Sequence, residues 1–312
     1  MSYQEKYNRS LLISLLVLVV ITLAYVGYSK RDRSVVDTGA FQLTDFTTIN
    51  EVTLERGQQK TTLNFDGVRW NVNGELADRN LIDVLFATLQ QARPVRPVAQ
   101  ALRDSVNRIL EASAVKVSLR SDDQTLLEFL AGGNARKSEA YFKRADNDAV
   151  YVMVIPGYRV YVSGIFELDR SGWKDKHVYQ LNWRNFQSLE TTFPESLKDD
   201  FKVSLIDNYF SIENMAAVDT TKLNDYLDAV SLLTVDEYLA DNEVYENLIN
   251  TTPQVKITAY DIGGQSYSLA LYPSGPVAGK KYGLINQSQL AYFDSKKLEA
   301  ITKTRSSFAL SR

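Results

Sequence analysis

The chain has 312 residues, with 35 Lys or Arg, 38 Asp or Glu and no Cys, so its formal net charge is −3. The lack of cysteine excludes disulfides, thiolate catalysis and Cys-ligated metal sites. The first 33 residues hold five Lys or Arg and two Asp or Glu, which leaves the remainder near −6. That balance argues against nucleic acid or anionic lipid as the main partner of this part, and about 270 further residues suit two ordinary domains.

The first predicted element is an uncharged, proline-free stretch at residues 11–28, with the sequence LLISLLVLVVITLAYVGY. As an α-helix it would be about 27 Å long, close to the roughly 30 Å hydrocarbon core of a bilayer. It predicts one transmembrane helix, preceded by a cytoplasmic tail at residues 1–10 and followed by a linker at residues 29–40. A cleaved signal peptide is the alternative, but the run exceeds the usual length of about 7–15 residues, and no good small-x-small site follows.

Orientation rests on the order of the segments, because basic residues flank the apolar stretch on both sides and the positive-inside rule does not decide. A short tail before one signal-like span favours the tail inside and the large domain outside. We therefore expect a single-pass protein of the bacterial inner membrane, with its C-terminal domain in the periplasm and membrane lipid around its helix.

Four small or hydroxylated residues interrupt the apolar stretch: Ser14, Thr22, Ala24 and Gly27. Such residues permit close contact between helices in membranes. Their spacing forms no strict GxxxG pattern, so helix contact and lipid-facing placement both remain open.

After the linker, the chain repeats a pattern of elements. Residues 69–95 and 209–235 each predict a short strand, a turn, an Asp N-cap and an amphipathic helix, with Asp78 and Asp219 as the caps. Each is followed by a second predicted helix, at residues 98–112 in the first half and 235–249 in the second.

A strand follows each second helix, VKVSL in the first half and VKITA about 140 residues later. Hairpin-like strands close both series. The near-constant spacing predicts an internal duplication.

The fold class predicted is α+β, with two tandem duplicated units whose helices pack on antiparallel sheets. The first unit is expected at residues 41–177, including an aromatic-rich joint that begins near residue 155. The second is expected at residues 178–312.

The pattern resembles the uncharacterised bacterial domain-of-unknown-function family DUF4340. The similarity includes the anchor, the early strand INEVTLE at residues 49–55 and a W-x-V-N-G strand at residues 70–74. The most specific match is YVMVIPGY at residues 151–158, followed by Phe166 and by WKDK from Trp173. The resemblance implies a membrane-tethered envelope protein, sometimes encoded near ABC-type exporter or gliding-machinery components. It supplies no catalytic residues.

No pattern in the chain predicts a catalytic, cofactor or metal site. His177 is the only histidine, no GxSxG motif is present, and the glycine-rich loop at residues 275–281 departs from the phosphate-binding consensus. Asp122-Asp123 and Asp199-Asp200 are interpreted as solvated turns, because adjacent loop carboxylates do not indicate a glycosidase pair.

The candidate interaction surface is the aromatic cluster of the joint: Tyr158, Tyr161, Phe166, Trp173 and Tyr179. Tyr and Trp are enriched at interfaces because they combine apolar area with a polar group. About half of the cluster is expected to pack the two repeats together, and whether any of it remains for a protein partner is left open.

The function expected is a non-enzymatic accessory or scaffold subunit of an envelope complex, linked to an ABC-type transporter and lacking any cofactor. One alternative is a tethered envelope hydrolase that uses carboxylates. Another is a periplasmic sensor that binds a small ligand between the repeats.

Overall fold

The computed structural model describes residues 3–31, 39–43, 45–146, 148–182, 184–206 and 209–310, and within the first helix it describes side chains for residues 11–25. The chain divides into two compact units, Met1–Trp173 and Lys174–Arg312. The predicted linker and the turn after Asp146 fall partly outside the described residues.

Helix α1 spans Tyr3–Arg31. The large apolar side chains between Leu11 and Tyr25 are all exposed, so none of them is covered by the chain itself. Among the described residues, we find no helix that combines the length and the apolar character needed to cross a membrane.

In the first unit, helices separate runs of consecutive strands. They are β1 (Glu51–Arg56), β2 (Gln59–Phe65), β3 (Trp70–Val72), β4 (Glu75–Leu76), α2 (Arg79–Gln91), β5 (Arg93–Pro97), α3 (Gln100–Ser113), β6 (Val115–Ser121), β7 (Gln124–Gly133), β8 (Ala140–Arg144), β9 (Val150–Val154) and α4 (Arg170–Trp173). The strands of this described part form one antiparallel sheet in the order β4-β3-β2-β1-β6-β7-β8-β9-β5.

Helices α2 and α3 cover opposite faces of this sheet. Side chains of α2, including Leu85, share a core with Phe129 and Phe142. Leu110 of α3 packs instead with Tyr141, which neighbours Phe142 along β8. Because successive residues of a strand point to opposite faces, α2 and α3 lie on opposite sides of the sheet.

The second unit has a similar series of elements. They are β10 (Phe186–Thr192), β11 (Phe201–Ile206), β12 (Tyr209–Ile212), α5 (Thr220–Ser231), β13 (Glu237–Tyr238), α6 (Asn242–Ile249), β14 (Val255–Asp261), β15 (Ser266–Leu271), β16 (Lys280–Ile285), β17 (Gln289–Asp294) and α7 (Ser295–Glu299). Its described strands form an antiparallel sheet in the order β12-β11-β10-β14-β15-β16-β17-β13.

The prediction of a mixed α+β chain with antiparallel sheets is therefore confirmed. So are the predicted N-caps: the Asp78 carboxylate accepts from the backbone N–H groups of Asn80 and Leu81, and that of Asp219 accepts from Lys222.

The second helix predicted in the first half, at residues 98–112, corresponds to α3, whereas the one predicted at residues 235–249 needs correction. There, Glu237–Tyr238 pairs with β17, and α6 begins only at Asn242, with Asp241 as its N-cap. In the first half, the segment before α3 is β5, a strand at the edge of the sheet. Proline has no backbone N–H, and an edge strand tolerates it because one side of the strand makes no hydrogen bonds to a neighbouring strand.

Candidate functional site

The first unit has an open apolar groove of about 490 Å³ between α2 and the segment at residues 155–168. We call it the α2 groove. Its main apolar side chains are Val84, Ala87, Ile155, Tyr158, Val160 and Ile165.

Helix α2 supplies one wall because it has more apolar residues than its core-facing side can bury. Ile82, Leu85 and Leu89 are buried at helical spacing, whereas Val84 is 49% exposed on the adjoining side. Val84 therefore faces the groove rather than the core.

A tight turn after β9 builds the other wall. The backbone N–H of Tyr158 donates to the carbonyl of Ile155, and Gly157 has a φ of +83°, as the third position of a Pro-Gly turn requires. The turn leaves Tyr158 66% exposed and Val160 53% exposed. Exposed apolar side chains that surround a groove mark a surface suited to a partner.

One end of the groove is polar and internally paired. The Tyr161 hydroxyl donates to Glu167 Oε1 at 2.6 Å, and Lys137 Nζ contacts Glu167 Oε2 at 2.7 Å. Burial, together with the hydrogen bond to Glu167, raises the pKa of Tyr161 well above its ordinary value. The phenol therefore remains neutral and acts as a hydrogen-bond donor at neutral pH.

Tyr161 also depends on a glycine beneath its ring. A Cβ added to Gly133 would lie 2.4 Å from Tyr161 Cε2 and 2.5 Å from the Glu139 carbonyl oxygen. Because Gly133 has no side chain, the Tyr161 ring can approach the end of β7 closely.

The five aromatic residues predicted as an interaction surface do not form one. Tyr158 and Tyr161 line the α2 groove. Phe166 and Trp173 are buried in the core of the first unit. Tyr179 is buried in the core of the second unit, where burial raises its pKa well above the ordinary value.

The groove residues that the sequence analysis missed are Val84, Val160 and Ile165. The exposure of Val84 could have been predicted, because Ile82, Leu85 and Leu89 already form the buried face of α2 and Val84 is an additional apolar residue beside that face. Val160 lies in an irregular segment and Ile165 in the short 3-10 helix Val162–Glu167, and no periodic pattern predicts their exposure.

The small residues proposed for contacts between membrane helices all lie on α1. Ser14, Thr22 and Ala24 are exposed, and the Thr22 hydroxyl donates to the carbonyl of Leu18 within the helix. Gly27 lies beyond the stretch of α1 whose side chains are described.

The other polar motifs have local structural roles. His177 Nδ1 lies 2.7 Å from Asp175 Oδ1 at an exposed position. Asp122 occupies the turn between β6 and β7 and accepts from the Asn50 side chain. Within the described ranges, no group of three or more His, Cys, Asp or Glu side chains is placed to hold a metal ion.

Comparison with known proteins identifies one family. The family described as "Domain of unknown function (DUF4340)" matches residues 70–250, more than half of the chain, from β3 through α6. No curated protein and no solved structure matches the chain.

Proposed function

The chain belongs to the DUF4340 family, and we propose that it is a membrane-tethered, non-enzymatic subunit that binds a protein partner in the bacterial cell envelope. The observation that carries the proposal is the α2 groove, an open apolar surface of the first unit beside the exposed side of α2.

Helix α1 is proposed as the tether. Its described side chains, residues 11–25, would cover about 22 Å along a helix axis, which is less than the roughly 30 Å of a bilayer core. The uncharged sequence continues to Tyr28, which would extend the apolar length to about 27 Å. Removing the exposed Leu, Ile and Val side chains from water would strongly favour insertion into lipid.

The body is proposed to consist of two duplicated units. Support comes from the matching strand orders and from equivalent registers: Leu54 lies opposite Val117 in the first sheet, and Thr191 lies opposite Ile257 in the second. Each series also places an Asp-capped helix between corresponding strands.

The α2 groove is proposed to receive an apolar segment of the partner, such as one face of an amphipathic helix. Tyr158 and Val160 would enter the contact from one wall and Val84 from the other. Because the polar end of the groove is paired internally through Glu167, binding there would leave no buried charge without a partner.

The proposed setting is the bacterial inner membrane, with the body in the periplasm. The partner class favoured is an ABC-type transporter, which the family resemblance suggests. Protease treatment of spheroplasts tests this arrangement: the body should be degraded without lysis, and protection until lysis would contradict it.

The partner is tested by affinity purification of the full chain from gently solubilised membranes, in several detergents. Wild type should retain a stoichiometric partner that Val160→Asp loses, because a carboxylate would have to be buried in the contact. Val277→Asp is the matched control, since Val277 is an exposed valine in a loop of the second unit. Recovery of the wild-type protein alone in every detergent would contradict the proposal.

A further inference from the structure

A second apolar surface of the first unit lies on the other side of α2. Phe46, Ile49, Phe65, Trp70 and Phe86 line a groove of about 270 Å³. The ring centroids of Phe65 and Trp70 are 5.7 Å apart, and those of Trp70 and Phe86 are 5.3 Å apart. We call these residues, together with Val68, the aromatic patch.

Val68 projects from the turn between β2 and β3 and is 85% exposed. The turn is rigid because Asp66 Oδ1 accepts from the backbone N–H groups of Val68 and Arg69, both at 2.9 Å. Asp66 Oδ2 accepts from the Asn71 side chain, also at 2.9 Å. The hydrogen bonds of this turn therefore keep the apolar Val68 side chain exposed to solvent.

The patch lies close to the point where the chain leaves α1 and joins the body. Phe41 is buried, with its ring centroid 5.5 Å from that of Phe142, and Arg144 Nη1 donates to the Ala40 carbonyl at 2.6 Å. The chain is therefore fixed to the sheet at residues 40–41. Phe46 follows within five residues, a reach of at most about 18 Å.

The connection back to α1 is short as well. Eight residue steps separate Arg31, the last residue of α1, from Gly39, so the chain between them spans at most about 29 Å. A body joined to an anchor by so short a connection has one side close to the bilayer. Phe46 lines the aromatic patch, so the patch begins within about 18 Å of the joining point.

We propose that the aromatic patch contacts the surface of the lipid bilayer at the level of the headgroups. The inference rests on the proposed function, since it requires α1 to be inserted. Trp and other aromatic rings favour this level of a membrane, where an apolar body meets a polar layer. Arg69 is exposed in the same turn as Val68 and would supply a positive charge for lipid phosphates, whereas the Asp66 carboxylate stays negatively charged while it accepts hydrogen bonds within the turn.

The test uses single cysteines carrying nitroxide labels in the full-length chain, which has no native cysteine to remove. The protein is placed in nanodiscs of phosphatidylethanolamine and phosphatidylglycerol. Labels at Val68 and Leu18 report on the patch and the anchor. Leu102 is the matched control, since it is 57% exposed on α3, which covers the opposite face of the sheet.

The measurement is the collision of each label with oxygen and with a water-soluble nickel complex. The Val68 label should be several-fold less accessible to nickel than the Leu102 label. Equal nickel accessibility at Val68 and Leu102, with Leu18 in lipid, would overturn this inference alone. Nickel accessibility at Leu18 would overturn the anchor, and with it both proposals.

Discussion

The backbone N–H of Asp78 donates a hydrogen bond of 2.8 Å to the carbonyl of Trp173, which ties the start of α2 to the last residue of the first unit. In the second unit, the N–H of Asp219 donates to the carbonyl of Phe308, also at 2.8 Å. Trp173 and Phe308 are both buried aromatic residues. In each unit, a late buried aromatic residue is thus bonded to the cap of the corresponding helix, α2 or α5, which supports the proposed duplication.

The caps make a first prediction. Asp78→Ala removes the acceptor for two helix N–H groups and should lower the free energy of unfolding of the first unit by about 1 kcal/mol. Urea denaturation measures the change. Asp83→Ala, at an exposed position inside α2, is the control and should have a much smaller effect. Equal losses in the two variants would refute the capping role.

Gly133 makes a second prediction, because a Cβ there would overlap the Tyr161 ring and the Glu139 carbonyl. Gly133→Ala should destabilise the first unit by about 1–3 kcal/mol, the usual cost of forcing atoms into a packed site. Gly164→Ala is the matched control, since its Cβ would meet only Tyr161 Cδ1, at 3.4 Å. Thermal denaturation that ranks the two variants in the opposite order would contradict the packing argument.

A third prediction concerns the buried hydrogen bond between Thr191 Oγ1 and the Tyr226 hydroxyl, 2.8 Å long. Thr191→Val leaves the tyrosine hydroxyl buried without this partner and should cost about 1–3 kcal/mol. Tyr226→Phe combined with Thr191→Val removes both polar groups and should cost less than the two single changes together. Chemical denaturation of the four proteins measures the coupling, and simple additivity would argue against the bond.

The buried tyrosines make a fourth prediction, on alkaline stability. Burial raises the pKa of both Tyr179 and Tyr226 well above 10 in the folded chain. Because an unfolded tyrosine ionises near pH 10, their contribution is fully present below about pH 10 and is lost as the pH rises through the folded pKa. Between pH 10 and the folded pKa, each tyrosine should make the free energy of unfolding fall by up to about 1.4 kcal/mol more per pH unit.

Denaturant unfolding between pH 9 and pH 12 checks this expectation, since the range extends from about one unit below to about two units above the pKa of an unfolded tyrosine. Tyr179→Phe should flatten the alkaline decline, whereas Tyr209→Phe, at an exposed position, should leave it unchanged. An identical decline in wild type and Tyr179→Phe would contradict the assignment.

Features with local causes were predicted from the sequence. Asp78 and Asp219 each precede an apolar pattern of helical period, and capping depends only on the next three residues. The hairpin-like strands that close both series were also predicted, since each run alternates apolar and polar residues.

Features that depend on distant residues were not predicted. Residues 237–238 lie in a segment with helical spacing, yet they pair with β17, more than fifty residues later in the chain. Phe166 and Trp173 have the composition of an interface, but long-range packing places both in the core.

The uncharged N-terminal stretch, the α+β class, the helix caps and the family resemblance can all be recognised in the amino-acid sequence, because they depend on composition, on hydrophobic period and on neighbouring residues. The burial of individual aromatic residues, and the groove lined by Val84, Tyr158 and Val160, are seen only in the folded chain. Exposure depends on which distant elements cover a side chain, and sequence spacing does not specify those elements.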